Sequence, residues 1–345
     1  MPRDAILDRL SEPSASPSLG AAIPMAGAYA AEPPVSRGPA LAPIAVQMYQ
    51  PHLFGLWGQG FGNWGTSDSD HNAAKLSRDT GGFVIGADAD LGDLAHGSGV
   101  WRLGVAGGYT NDSWSVTNRG SSGEFQSVFG AVYSSAAFGA VNLKTGVIAT
   151  TTDTHTTRSI VFPGFSDVAS SSYGGDEEQA FAELGYHLPF HGMLRSYLPG
   201  LESLHVDYEP FLQAAVIHLG QNRYAEASLT GAGLIGSSGS YDMGTTTLGL
   251  RSRYTLATLP GFSVSTTLRW RHGYGDVKPS VTQAFAASFT SFTVAGVPIA
   301  RDALVAETSL DYAVSDRISL GIAYAGELAH RSTDNTIKGK AEIRF

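Results

Sequence analysis

The sequence predicts an all-β fold, a twelve-stranded up-and-down transmembrane β-barrel preceded by a short helix and a Pro/Ala/Ser-rich linker. Three observations carry this reading. The chain ends T-I-K-G-K-A-E-I-R-F, with Ile337, Gly339, Ala341, Ile343 and Phe345 on one side and Thr336, Lys338, Lys340, Glu342 and Arg344 on the other. That alternation belongs to a strand with one apolar and one charged face. Only 15% of the 345 residues are charged, against roughly 25% in soluble domains. Yet mean hydropathy is only −0.03, and the chain holds 42 Gly, 14 Tyr and 16 Phe. Strands that face lipid on one side and water on the other average out in this way.

The elements follow in order. Pro2 to Leu10 has a helical pattern, with Ala5, Ile6, Leu7 and Leu10 against Arg3, Asp4, Asp8 and Arg9. A helix this short is not stable alone. Ser11 to Pro51 carries prolines at 13, 17, 24, 33, 34, 39, 43 and 51, which favours an extended, semi-rigid linker. Leu19 to Ala31, with A-Y-A at 28–30, is the nearest approach to a signal-peptide core. Pro24 and two glycines interrupt it, so it is read as linker and the chain as part of a longer exported precursor. No stretch reaches the ~18 apolar residues of a transmembrane helix.

From residue 52 the texture turns to alternating segments, expected at 52–65, 80–91, 101–118, 123–138, 140–155, 176–188, 205–224, 241–256, 261–275, 300–314, 317–330 and 335–345. Short joins (92–99, 138–139, 259–261, 315–316) are expected at one end of the barrel. Long loops (66–79, 156–175, 225–240, 276–299) are expected at the other. The join 189–204 breaks this rule and reads as an insertion.

Charge phase assigns the faces. Trp101, Leu103, Val105 and Tyr109 form an outward row with Arg102 opposite. Phe262, Val264, Leu268 and Trp270 oppose Arg269 and Arg271, and Leu304, Leu310 and Tyr312 oppose Glu307 and Asp311. Because a lipid-facing Arg or Lys costs ~2–4 kcal/mol at mid-bilayer, the charged phase is the lumen. The lumen-lining residues are Asp88, Arg102, Lys144, Glu183, Arg251, Arg269, Arg271, Glu307, Glu327, Lys340, Glu342 and Arg344. Glu124, Asp207, Glu209, Arg253, Asp311 and Lys338 are further inward candidates. Positive and negative charges balance, which suggests paired ladders along a hydrated pore rather than an ion-selective filter.

Several stretches resemble the C-terminal translocator domain of autotransporters, the type V secretion barrels. They are L-W-G-Q-G-F-G-N-W-G (56–65), T-G-G-F-V-I-G-A-D (80–88), W-R-L-G-V-A-G-G-Y (101–109), A-F-A-E-L-G-Y (180–186), W-R-H-G-Y-G-D-V (270–277), F-T-V-A-G-V-P-I-A-R-D-A-L-V-A-E (292–307) and the terminal I-R-F. The resemblance spans Leu53 to Phe345, and R-D-A-I-L-D-R-L (3–10) resembles the helical tail that ends the passenger region in some of these proteins. It implies three regions: 1–10, the remnant of a passenger-side helix; 11–51, a linker that sits where the family's pore-threading segment belongs; and 52–345, the outer-membrane barrel. Either the linker lies extended in the pore or a passenger-side helix occupies it.

The resemblance further implies export of an N-terminal passenger to the cell surface. It implies a C-terminal assembly signal at Ile343 and Phe345, read by the barrel assembly machinery. Expected partners are periplasmic chaperones, outer-membrane lipid and lipopolysaccharide, and the chain's own passenger segment. The alternative is a plain channel or surface adhesin barrel without cargo. Some autotransporters cut their passenger inside the pore with an Asn of a helical linker; residues 11–51 contain no Asn.

The remaining chemistry is thin. G-A-G-L-I-G (231–236) has dinucleotide spacing but sits in a Gly/Ser stretch with no helix to follow. No G-x-S-x-G, H-E-x-x-H or Walker sequence occurs, and the 10 histidines are scattered, so neither an enzyme, a cofactor nor a metal is expected. Asp176, Glu177 and Glu178 read as a solvated strand edge. With no cysteine there is no disulfide, and a net charge of −9 without a basic stripe argues against nucleic acid.

Overall fold

The computed structural model describes residues 2–12, 54–69, 74–93, 99–117, 119–189 and 204–345. Within these, twelve antiparallel strands form a closed barrel. They are β1 (Phe54–Ser67), β2 (Leu76–Asp93), β3 (Val100–Val116), β4 (Ser121–Phe138), β5 (Val141–Phe162), β6 (Phe165–Tyr186), β7 (Leu204–Gln221), β8 (Gly239–Leu256), β9 (Phe262–Gly275), β10 (Asp302–Ala313), β11 (Ile318–Ala329) and β12 (Ser332–Arg344). Each pairs with its sequence neighbours, and β1 pairs with β12 from Gly55↔Arg344 to Ser67↔Ser332. Closure matters because a strand edge in hydrocarbon leaves backbone donors and acceptors unsatisfied, at several kcal/mol per group.

The outward rows form a continuous apolar belt. Leu103, Val105, Val132, Val147, Val216, Leu268, Trp270, Leu304, Ile322 and Ile337 are all exposed, while their immediate neighbours turn inward. Trp64, Trp270, Tyr274 and Tyr324 lie outward on the side where β1 ends, and Tyr312 and Phe345 on the side where it starts, where aromatic girdles belong.

Each strand end has a local cause. Gly139 (φ 61°) and Gly164 (φ 81°, after Pro163) supply the left-handed residue of two-residue turns. The second of these corrects the sequence reading, which placed a long loop at 156–175. Instead β5 and β6 run on to Phe162 and Phe165, paired throughout. Their hydroxyl-rich extensions lie beyond the belt, where both faces meet water, so no apolar alternation marks them as strand.

Two other predicted loops also carry structure. Segments 291–295, 280–285, 234–236 and 224–225 form a separate four-stranded sheet in that order, and 227–228 adds to β6. Residues 190–203 of the predicted insertion at 189–204, and residues 13–51 of the predicted linker 11–51 with its signal-like segment, lie outside the described residues.

Inside the wall, aromatics lie on glycines directly across the ladder. Tyr133 pairs with Gly104 and Phe181 with Gly146. A Cβ at Gly104 would sit 2.3 Å from Tyr133 Cζ, and one at Gly146 2.6 Å from Phe181 Cζ. Absence of a side chain there lets the rings lie flat against the sheet.

Leu268→Arg should cost about 2–4 kcal/mol, because it puts a cation on the lipid face. Thr267→Arg, one residue away and facing inward, should cost less. Urea unfolding in lipid vesicles measures both; equal costs would show that the belt is not lipid-facing.

Candidate functional site: the helix-filled pore

The segment Pro2–Ser11 forms helix α1. Pro2 occupies the first turn, where its missing N–H costs nothing. Asp4 in the first turn and Arg9 in the last complement the helix dipole. Ser11 Oγ donates to the Leu7 carbonyl at 2.6 Å, satisfying one acceptor the helix end leaves open. Ten residues still need tertiary packing, and they receive it inside the barrel.

One half of the lumen is apolar. Ala5, Ile6, Leu7 and Leu10 pack in one cluster with Trp57, Phe61, Val84, Phe129, Ala131, Tyr133, Ile148, Phe181 and Ala215. These side chains come from β1, β2, β4, β5, β6 and β7. Ile6 is fully buried and Leu7 is 2% exposed. Of the two occupants the sequence left open, an extended linker or a passenger-side helix, a helix fills this part of the lumen, on an aromatic seat that the reading of charged ladders did not include.

Call the end where β1 starts and β12 stops the terminal end, and the opposite one the distal end. The remaining lining is ionic: it runs in tiers along β8–β12 and continues at the terminal end of β2, β3 and β5–β7. Near the terminal end Arg9 donates Nε and Nη2 to the two oxygens of Asp88, both at 2.7 Å. Its Nη1 reaches Glu342, and Glu12 at 3.0 Å. Asp88 also accepts from Tyr133 Oη at 3.0 Å, and Tyr133 accepts from Trp57 Nε1 at 2.7 Å. Lys340 bonds Glu12 at 2.7 Å and Asp311 at 2.8 Å.

In the middle Lys338 holds Asp8 at 2.8 Å and Glu307 at 3.0 Å. Arg269 lies 3.4 Å from Glu307 and 3.5 Å from Asp4. Toward the distal mouth Arg271 pairs with Glu327, and Arg78 with Asp334 at 2.5 Å. A polar chamber of about 390 Å³, lined by Arg3, Asp4, Arg78, Glu177 and Arg271 among others, lies above the helix.

On the opposite wall Lys144, 2% exposed, donates to Glu183 and to Ser11 Oγ, each at 2.8 Å. Arg251 donates to Glu209 at 2.8 Å and to Glu183 at 3.2 Å. Arg102 donates to Asp90 at 2.8 Å and stands 3.9 Å from Asp88; Arg344 bonds Glu342 at 2.7 Å. The structure thus brings the charged residues expected in the lumen together in four groups around and above α1.

Glu124 is different. It is exposed on the same face of β4 as Val128 and Val132, not in the lumen. Glu124 lies on the hydrophilic strand extension, where both faces are polar and charge no longer reports phase.

Ile343 and Phe345 face outward at the β1–β12 seam, where Phe345 and Phe54 exchange backbone hydrogen bonds. Sequence reasoning missed the aromatic half of the lumen. The available signal was the direct cross-strand pairing of each aromatic with a glycine, as in Trp57↔Gly86, Phe61↔Gly82 and Phe129↔Gly108.

The family model described as the autotransporter beta-domain matches residues 56–325. The chain belongs to the autotransporter β-domain family. Solved structures agree on the fold. The translocator domain of autotransporter NalP from Neisseria meningitidis has TM-score 0.64 at 14% identity, covering 86% of this chain and 90% of that one. The transport unit of AIDA-I from Escherichia coli has TM-score 0.61 at 16% identity, covering 88% and 92%. The beta domain of the Bordetella autotransporter BrkA also reaches 0.61 at 16% identity, covering 85% and 100%.

A comparison with curated protein sequences gives no match. The barrel is an outer-membrane translocator domain.

Lys144→Ala would leave Glu183 and Glu209 to share Arg251 in a dry wall. Removing one partner of such a buried group should destabilise the barrel by about 3–5 kcal/mol. Asp242→Asn, which breaks the equally short but exposed pair with His218 (2.7 Å), should leave the unfolding midpoint in place. A denaturant titration in micelles compares the two; similar losses would contradict the buried ionic wall.

Proposed function

We propose that this barrel holds the trailing helix of its own passenger in the pore after carrying the passenger to the cell surface. The observation that supports it most is the direction of α1. Pro2, Arg3 and Asp4 line the chamber toward the distal mouth, whereas Arg9 lies among terminal residues, so with the distal mouth at the cell surface and the terminal end in the periplasm a passenger joined ahead of Pro2 leaves to the outside. The end of α1 and the start of β1 lie at the same end of the barrel, since Arg9 bonds Asp88, whose register partner is Gly55.

The mechanism is physical rather than catalytic. The wall satisfies its own backbone, so an extended passenger meets side chains and water instead of open strand edges. Folding of the passenger outside supplies the pull. The seam residues Ile343 and Phe345 serve as the signal that the barrel assembly machinery reads. Periplasmic chaperones keep the strands apart until then. Outer-membrane lipid and lipopolysaccharide cover the apolar belt and the polar rim above it.

The charged lining residues from Asp88 to Arg344 position the helix. Asp8, Glu12 and Arg9 each dock on a wall group that already has a partner in the wall. Lys338 keeps Glu307, Lys340 keeps Asp311, and Glu342 keeps Arg344. The helix can therefore enter without any wall charge being stranded when the pore is occupied by something else.

A reporter fused ahead of Pro2, behind a secretion signal, should be cleaved by protease added to intact cells. Retention in the periplasm beside a well-inserted barrel would sink the export claim. Removing residues 1–51 should raise single-channel conductance in planar bilayers. A helix is about 10 Å across with side chains, so its loss opens most of the lumen. An unchanged conductance would mean that α1 does not occupy the pore.

A further inference from the structure

α1 carries two arginines, and the wall treats them unequally. Arg3 Nε and Nη1 are buried without a hydrogen-bond partner. Arg9, 4% exposed, uses Nε, Nη1 and Nη2 together on Asp88, Glu342 and Glu12. The carboxylates Asp88 and Glu342 stand on β2 and β12, on either side of β1. Between them β1 contributes Gly55, paired with both Asp88 and Arg344. A Cβ on residue 55 would lie 2.5 Å from Arg9 Nη2 and 2.9 Å from Asp88 Oδ1. The guanidinium therefore lies in a recess that exists only because residue 55 has no side chain.

We propose that Gly55, Asp88 and Glu342 form a guanidinium slot across the β1–β12 seam, and that Arg9 in this slot sets the height at which the helix stops in the pore. The inference rests on α1 being the pore-resident end of the passenger.

The chemistry selects arginine over lysine. One planar fork meets Asp88 with two parallel bonds and still presents a third nitrogen to Glu342, whereas an ammonium is a point charge on a flexible stem. The slot also outlasts the helix. Arg102 stands 3.9 Å from Asp88, and Arg344 bonds Glu342 at 2.7 Å, so both carboxylates keep a wall cation when Arg9 is gone. By contrast, the apolar contacts of Ile6, Leu7 and Leu10 tolerate sliding better, since a hydrophobic surface rewards burial without direction. Register is then the task of the directional group.

The test moves the arginine by one turn. The chain has no cysteine, so spin labels on cysteines placed at Ser11 and at Ser315, in a terminal-end turn, report helix height without background. In the full chain, Ala5→Arg with Arg9→Ala should slide the helix toward the terminal end. Four residues at 1.5 Å rise make a displacement of about 6 Å, and the label distance should shorten by up to that amount. Without the slide the new guanidinium would sit in the apolar cluster that now surrounds Ala5.

Gly55→Ala changes no charge and should displace or broaden the same distance. Gly60→Ala on the same strand should not, since a Cβ there meets nothing within 4 Å. If the doubly substituted chain does not fold, the pair Gly55→Ala and Gly60→Ala decides alone. A narrow distance unchanged by the transplanted arginine, or by Gly55→Ala, overturns the slot. A distance already broad in the unmodified chain overturns the pore-resident reading beneath it.

Discussion

A strand in hydrocarbon has no water to bond, so every backbone group of the belt must find a partner within the sheet. The structure depends on this constraint. It forces the first and last strands together along thirteen register pairs, and it leaves nothing at the edge. Closure in turn creates an enclosed lumen, and the lumen of a twelve-stranded barrel is wider than side chains alone can fill. What fills it here is a helix too short to persist by itself. Barrel and helix are each incomplete alone: one lacks a core and the other lacks a reason to be helical.

That mutual dependence explains the two-sided interior. Apolar packing on the β1–β7 half gives α1 the burial it needs, since Ile6, Leu7 and Leu10 lose essentially all contact with water. Ionic contacts, along β8–β12 and at the terminal end of β2, β3 and β5–β7, supply direction. A wholly apolar lumen would resist an extended polar chain passing through it, and a wholly charged one would not hold a helix. Glycines across from the aromatics reconcile the demands of width and grip, because each ring is laid against the wall instead of standing into the channel.

Much of the barrel was legible in the sequence, for a physical reason. Lipid punishes a misplaced charge by several kcal/mol, so within the belt the phase of Arg269, Arg271, Glu307 and Lys340 fixes inside and outside without ambiguity. Outside the belt that penalty vanishes. Residues 156–175 have hydroxyls on both faces and were read as loop, although they form paired strand. Glu124 was read as inward because charge was taken for phase where charge carries no such information. The aromatic seat was illegible from single strands. Trp57, Tyr133 and Phe181 look like belt residues by hydropathy, and only the register that sets each against a glycine shows them to be interior.

The ionic half bears on how one lumen can both pass a polypeptide and retain its end. Lone wall charges would bind any opposite charge that came by and would stall a moving chain; fully paired ones would ignore it. The wall adopts neither extreme. Lys338 divides itself between Glu307 and Asp8, Lys340 between Asp311 and Glu12, and Glu342 between Arg344 and Arg9. Each helix charge is thus a third party to an existing pair, gaining a modest interaction and stranding nothing when it departs. A passing segment makes these contacts singly and moves on. A segment that presents Asp4, Asp8, Arg9 and Glu12 at helical spacing makes them all at once, with its apolar face seated opposite. Retention then follows from simultaneity rather than from any one strong bond, and the same wall serves both for passage and for rest.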